Sequence, residues 1–71
     1  MEVVETFGER IKAARQAAGL TQKQLGILCG YSEASAERTV QFWEADKRDV
    51  PIEKIRILAK SLNMTLDELI P

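Results

Sequence analysis

The side chains of this 71-residue chain that are best placed for chemistry are amides and guanidinium groups, not nucleophiles. The stretch TQKQLG puts two glutamines and a lysine at positions 22–24, and Arg38 and Gln41 follow in SAERTVQFWE. Such groups form directional hydrogen bonds with a partner. The sequence has no histidine, no metal-ligand spacing, no phosphate loop and no carboxylate pair suited to a pocket, and a catalytic site would need such groups. We therefore expect a binding protein without a metal or cofactor, and not an enzyme.

Length and cysteine usage indicate one small domain. We assign residues 1–71 to a single domain with its core at about 6–70, since a chain of this size supports one hydrophobic core. Cys29 is the only cysteine, which fits a reducing cytosol. The start MEVVETFGER is acidic, unlike a signal peptide, and no apolar run approaches the roughly 18 residues of a membrane span. A cytoplasmic protein without membrane association is the expectation.

The charge balance counts against a nucleic-acid partner without excluding one. The net charge is −1, whereas phosphate contacts supply much of the affinity for nucleic acids and basic surfaces are common among their binders. Net charge does not describe how charges are distributed. Separate faces remain possible, because Lys47 and Arg48 are adjacent while acids cluster elsewhere. These acids are Glu2, Glu5, Glu9, Glu33, Glu37, Asp67 and Glu68.

Capping signals and apolar periodicity predict five short helices and an all-α fold. The capping-box pattern, threonine followed three residues later by glutamate or glutamine, starts three of them. Left-handed residues are expected to end three helices. The predicted caps are Thr6, Thr21 and Thr65, and the predicted stops are Gly19, Gly30 and Asn63.

Each predicted helix carries an apolar stripe that should face a common core. Gly26 interrupts the second helix and costs about 1 kcal/mol relative to alanine, so we expect another helix backbone to cross closely there. The fourth helix should begin near Pro51. The stripes are Phe7, Ile11, Ala14 and Ala18; Leu25, Leu28 and Cys29; Ala36, Val40 and Trp43; Ile52, Ile55, Leu58, Ala59 and Leu62; and Leu66, Leu69 and Ile70.

The third helix has a polar face that points away from its stripe. Ser35 is a plausible N-cap. At about 100° per residue, Arg38, Gln41 and Ala45 face away from the stripe. Glu37 and Phe42 flank this outward face.

The order of these features resembles the phage repressor and Cro type of helix-turn-helix, the XRE family. The segments that carry the resemblance are AAGLTQKQLG, a glycine turn, WEADKRDVP and LAKSLNMTLDELI, within about 7–70. The resemblance implies a compact five-helix, lambda-repressor-like DNA-binding domain. Its second and third helices would form the helix-turn-helix, and the third would lie in the major groove.

The sequence departs from the family pattern at three places. The stretch GYSEASAERTV is about four residues longer than usual before the recognition helix, and residues 32–35 would form a wider turn or one more helical turn. Gly26 stands where alanine is usual, a change toward closer packing. Ala45 and Asp46 stand where Asn-Gly or Arg-Gly is common, which removes a possible phosphate contact and an easy left-handed residue.

The resemblance implies DNA contacts from the outward face of the third helix. Arg38 would bind guanine or a phosphate, Glu37 would accept from cytosine N4, and Gln41 would pair with adenine. Phe42 would contact a thymine methyl, pack near Tyr31 or serve a dimer contact. Ser35 is also expected to contact DNA.

Further contacts are implied for the residues around that helix. Gln22 would sit near a phosphate and brace a neighbour on the recognition helix, or else be a solvated cap residue. Lys23, Lys47 and Arg48 would contact phosphates, with ordinary solvated charge as the alternative. The resemblance also implies a structural ion pair between two helices, formed by Arg15 and Glu44.

The expected function is sequence-specific binding of double-stranded DNA by a repressor of phage or bacterial type. A homodimer would read two half-sites about 34 Å apart, self-associating through Met64 and Ile70. The alternative is a protein-interaction or antitoxin-type module on the same fold. A continuous positive strip would favour DNA, and a mixed surface would favour a protein partner. The strip would run across Lys23, Arg38, Lys47 and Arg48.

Overall fold

The computed structural model describes residues 6–70, which form five helices and no strand. The predicted all-α architecture is confirmed. Glu2 and Glu5 of the acidic start, and Pro71, lie outside the described residues. Within 6–70, no helix is long and apolar enough to cross a membrane. The helices are α1 (Phe7–Ala17), α2 (Gln22–Leu28), α3 (Ala36–Glu44), α4 (Ile52–Ser61) and α5 (Leu66–Leu69).

The three predicted capping boxes are present at the starts of α1, α2 and α5. In each, the threonine hydroxyl accepts from the third helical N–H, and that residue's side chain accepts from the threonine N–H. At α2, for example, Gln24 N donates to Thr21 Oγ1 over 3.0 Å and Thr21 N donates to Gln24 Oε1 over 2.8 Å. These local bonds satisfy amides that the helix itself leaves free.

Four helices end at a residue with positive φ. Gly19, Gly30 and Asn63 do so as predicted, with φ of 72°, 95° and 56°. At the end of α2, Gly30 N donates to the Ile27 carbonyl over 2.9 Å and the N–H of residue 31 donates to the residue 26 carbonyl over 3.0 Å. This pair of bonds is a Schellman motif, which closes the helix and turns the chain toward the next one.

Asp46 ends α3 in the same left-handed conformation, with φ of 58°. The sequence predicted only the loss of an easy left-handed residue here. Aspartate tolerates this region better than most residues, and the side chain is also held in place, because Gly8 N donates to Asp46 Oδ1 over 2.9 Å. The carboxylate thereby meets the positive end of the α1 dipole. Asp46 joins the end of α3 to the start of α1.

The core lies between the helices and contains the residues predicted at its centre. Trp43 packs edge-on against Tyr31, with ring centroids 5.6 Å apart. Cys29 is buried, and burial raises the pKa of its thiol, as expected for a structural cysteine. The buried apolar residues are Ile11, Leu25, Cys29, Ala36, Val40, Trp43, Val50, Leu58, Ala59, Leu62 and Leu69.

Five stripe positions predicted to be buried are exposed instead. Periodicity assigns a face to a residue but does not say how far along the helix a neighbour extends. All five lie at helix ends or C-caps. They are Ala18 and Ile70 at C-caps, Leu28 at the end of α2, Ile52 at the start of α4 and Leu66 at the start of α5.

Gly26 marks the closest approach of α2 and α3. A Cβ built on Gly26 would lie 2.5 Å from the Ala36 carbonyl oxygen and 2.6 Å from Ala36 Cβ. These distances are far below ordinary van der Waals contact, so only glycine fits without a backbone shift. The predicted close crossing is confirmed, and it sets the spacing between the side chains that α2 and α3 present.

Candidate nucleic-acid interface

The additional residues before α3 form one tight helical turn and not a wide loop. The Ser32 carbonyl accepts from Ser35 N over 3.1 Å and from Ala36 N over 2.8 Å. The second bond has the spacing of an α-helix. The extension therefore leads directly into α3.

Ser35 occupies the N-cap position of α3, but its side chain forms no capping hydrogen bond, contrary to the prediction. Its φ and ψ of −115° and −13° are near-helical, whereas a capping residue is usually extended. Its hydroxyl instead lies 3.0 Å from the Ser32 hydroxyl. The Ser35 carbonyl accepts from the Thr39 hydroxyl over 2.8 Å, so Ser35 is part of the turn. It is exposed.

Arg15 and Glu44, which we call the core pair, form the ion pair that the resemblance implied. Arg15 Nε lies 2.6 Å from Glu44 Oε2, and Arg15 Nη2 donates to Glu44 Oε1 over 3.3 Å. The side chains are only 12% and 5% exposed. Arg15 Nη1 also donates to the Leu20 carbonyl over 2.9 Å. The pair joins α1 to α3 with two parallel hydrogen bonds, an arrangement that suits a guanidinium and a carboxylate.

A chain of amides, which we call the amide relay, extends from the core pair to the surface of α3. Gln22 Nε2 donates to Glu44 Oε1 over 3.1 Å. Gln41 Nε2 donates to Gln22 Oε1 over 3.3 Å and to Glu37 Oε2 over 3.3 Å. Gln22 thus braces a neighbour on α3, in the way that the resemblance implied. The relay connects a buried carboxylate to two exposed α3 side chains, Gln41 and Glu37.

Arg38 is exposed on α3 beside the relay. It forms no ion pair with any residue of the described stretch 6–70, although Glu33 and Glu37 are near it in the sequence. Lys47 is also exposed and forms no ion pair within that stretch. Both cations are exposed to solvent.

Phe42 has a neighbour that the sequence did not indicate. The Arg48 guanidinium carbon lies 4.6 Å from the centroid of the half-buried Phe42 ring, which is cation–π geometry. Tyr31, the suggested packing partner of Phe42, instead meets Trp43 and has Lys54 Nζ 5.2 Å from its ring centroid. Phe42 therefore positions the Arg48 cation beside the end of α3.

Lys23 and Glu33, which we call the surface pair, form an exposed ion pair. Lys23 Nζ lies 2.9 Å from Glu33 Oε1, with side-chain exposures of 44% and 77%. The hydrogen bond and the charge of Lys23 lower the pKa of Glu33. With Glu37 also beside Arg38, the surface of α2 and α3 is mixed in charge.

The structure thus brings together some of the predicted site residues and leaves others apart. The core pair and the relay form one connected network, whereas Glu33 and Glu37 place negative charge beside Lys23 and Arg38 of the expected positive strip. Sequence reasoning missed the role of Glu33. Its signal was weak, because the lengthened turn is the feature that brings Glu33 to Lys23.

The chain matches the Helix-turn-helix family model over residues 11–69. This match covers most of the chain, and the protein belongs to the helix-turn-helix family, of the XRE or Cro/C1 type. The family consists of DNA-binding transcription regulators and is not typically enzymatic. No curated protein and no solved structure matches the chain significantly.

Proposed function

We propose that this protein is a transcriptional repressor that reads an operator half-site with α3 in the major groove. The observation that carries the proposal is the exposed face of α3, where Arg38 and Gln41 lie side by side. Gln41 is held by the amide relay, which begins at the buried core pair. A preorganised side chain loses less conformational entropy on binding. Arg38 supplies the donors that guanine O6 and N7 accept.

The flanking cations would set the register of the protein on the duplex. Lys47 and Arg48 follow α3 after the turn at Ala45 and Asp46. Phosphates would lie there, and contacts of this kind position a protein without reading sequence. Arg48 is held over the Phe42 ring, so its guanidinium would meet a DNA phosphate from a fixed position. Lys23 would contact a phosphate after exchanging its exposed partner Glu33, which costs little because surface pairs are weak. Gln22 would act mainly by bracing Gln41.

Symmetric binding would require a homodimer. We propose that two copies read half-sites about 34 Å apart. The ends of α4 and α5 are the proposed contact, with Ile70 45% exposed and Met64 partly buried beside them. The chain would act in the cytoplasm as a single DNA-binding domain over residues 1–71.

Selection of bound sequences from a random duplex pool, at two salt concentrations, tests this function. We expect a symmetric motif and an affinity that falls steeply with salt, because binding releases counterions from phosphates. Arg38→Ala should weaken binding and relax the preference at one base position. The matched control is Arg56→Ala, which removes an exposed arginine from α4, a helix that packs on α2 and α5. If Arg38→Ala bound DNA with the affinity and base preference of the wild type, the proposed role of α3 would be contradicted.

A second candidate is supported by the mixed charge of the surface. Lys23 is engaged by Glu33, and Glu37 adds a carboxylate to the α3 face. Such a surface suits a protein partner, as in an antitoxin-type module. Absence of any enriched duplex, in the same selection, would favour this candidate over the first.

A further inference from the structure

We propose that Gln41 and Glu37 act together as a hydrogen-bond acceptor unit that selects cytosine in the major groove. This inference rests on the proposed function, since it names the base that the proposed recognition helix prefers. It replaces the adenine contact that a lone glutamine at position 41 would favour. The support comes from the direction of each hydrogen bond in the amide relay.

The buried end of the relay fixes the orientation of Gln22. The Glu44 carboxylate, in its ion pair with Arg15, can only accept hydrogen bonds. Of the two ends of the Gln22 amide, only the NH₂ group can therefore face Glu44, and Gln22 Nε2 lies 3.1 Å from Glu44 Oε1. The carbonyl oxygen of Gln22 is left for the surface. This oxygen, Oε1, is the atom that meets Gln41.

The outer end of the relay fixes the orientation of Gln41 in the same way. Gln41 Nε2 lies 3.3 Å from both Gln22 Oε1 and Glu37 Oε2, two atoms that only accept. A flipped amide would place an oxygen against both acceptors, with no proton between them. The NH₂ group has two hydrogens, and the two bonds occupy both. What Gln41 can offer a partner is its carbonyl oxygen.

The two exposed side chains therefore present acceptors. Gln41 contributes Oε1, and Glu37 contributes the rest of its carboxylate, including Oε1. No hydrogen bond from the described residues 6–70 to either of these two oxygens is present. Arg38, on the same helix, offers only donors. The α3 face consequently has an acceptor region beside a donor region.

Base chemistry then discriminates among the four partners. In the major groove, guanine shows two acceptors and thymine shows an acceptor and a methyl group, so both are disfavoured against Gln41 and Glu37. Adenine shows a donor next to the acceptor N7, and N7 would need an N–H that Gln41 has already committed. Cytosine shows the N4 amine as a donor, with no adjacent acceptor of its own. Cytosine is the base that the unit binds without rearrangement.

The experiment is selection from a random duplex pool with the full chain and three variants. Gln41→Ala identifies the base position that Gln41 faces, as the position whose preference is lost. At that position we expect the wild type to favour cytosine over adenine by roughly tenfold, within the range for one good base contact. Glu37→Gln replaces one of the two obligate acceptors around Gln41 with an amide that can rotate, so one Gln41 N–H is released to pair with adenine N7 while the bond to Gln22 is kept. We expect the preference there to move toward adenine by roughly tenfold, with other positions unchanged.

The matched control is Glu33→Gln, which removes one exposed carboxylate of the surface pair and lies outside the relay. It should leave the preference at this position as in the wild type. A wild-type motif with an A·T pair at the Gln41 position would overturn the inference and leave the proposed function intact. A cytosine preference that survives Glu37→Gln would overturn it as well. No enriched motif at all would refute the proposed function, and the inference with it.

Discussion

Two ion pairs, both involving the helix-turn-helix, show how differently the same chemistry is used. The core pair and the surface pair have similar nitrogen–oxygen distances, 2.6 and 2.9 Å. In the core pair, the side chains of Arg15 and Glu44 are 12% and 5% exposed. Arg15 also donates to the Leu20 carbonyl, and Glu44 also accepts from Gln22. The surface pair is 44% and 77% exposed and has one hydrogen bond. Surroundings, and not distance, decide what an ion pair contributes.

The difference bears on function as well as stability. Because the core pair is buried, the orientation of Glu44 is fixed, and that orientation is passed along the amide relay to Gln41. The surface pair is solvated and screened by salt, so it can open without disturbing the fold. The core pair positions groups on α3, whereas in the surface pair Glu33 partly neutralises the charge of Lys23.

The largest expected effect is from Glu44→Ala. Removing one partner strands the Arg15 guanidinium in a largely buried site, which should lower the free energy of unfolding by roughly 3–5 kcal/mol. Urea denaturation or a thermal melt measures it. Replacing both members, with Arg15→Met and Glu44→Leu, is the control and should recover much of the loss, because no charge is stranded. An unchanged melt for Glu44→Ala would show that the core pair has no structural role.

Gly26→Ala should have the next largest effect. The added methyl would meet the Ala36 backbone at 2.5 Å, and overpacking of this kind costs about 1–3 kcal/mol. Separating α2 from α3 should also lengthen the bond between Gln22 and Gln41, visible as shifts of their side-chain amide signals by NMR.

The control for that variant is Gly19→Ala. A Cβ at Gly19 meets nothing within 4 Å, but the positive φ of 72° strains the backbone. Some stability should be lost without movement of the Gln22 and Gln41 signals. If Gly26→Ala is as stable as the wild type, the crossing of α2 and α3 adapts to an added methyl group, and the close contact of Gly26 with Ala36 is not a constraint.

Lys23→Ala should barely change the unfolding midpoint. The surface pair is exposed at both ends, and such pairs contribute little after the entropy of ordering two side chains is offset. Urea unfolding at low and high salt measures the effect. A loss comparable to that of Glu44→Ala would remove the distinction between the two pairs.

The smallest effect is a pKa shift in the same variant. Lys23 holds the pKa of Glu33 below its ordinary value, so Lys23→Ala should let it rise toward 4.5. A carboxyl whose folded pKa is lowered stabilises the fold above its unfolded pKa, and this contribution is lost as the pH falls through the folded pKa. An NMR titration of the Glu33 carboxyl carbon measures the shift.

Glu68 serves as the internal reference in that titration. Its pKa is lowered by hydrogen bonds from the Thr65 backbone and hydroxyl, which Lys23→Ala leaves in place. A Glu33 pKa that stays low in Lys23→Ala would mean that another group depresses it.

Helix starts and stops followed from the sequence because their interactions are local. A capping box joins residues three apart, as with Thr21 and Gln24, and a glycine such as Gly30 ends a helix through its own φ. The central stripe residues followed from periodicity. For the same reason Leu28 and Ile52 were wrongly predicted as buried, since a period does not record where the neighbouring helix ends.

The network at the candidate site was decided by tertiary structure. Gln22 reaches Glu44 across 22 positions, and Gly8 reaches Asp46 across 38. Such contacts depend on how closely α2 and α3 cross at Gly26, which no local pattern specifies. The resemblance suggested that Gln22 would brace a neighbour, but not that this brace would orient Gln41 from a buried carboxylate. The sequence alone specifies the residue types, and it specifies the helix limits because these depend on local interactions. The direction of each hydrogen bond on α3 depends on the distances set by packing.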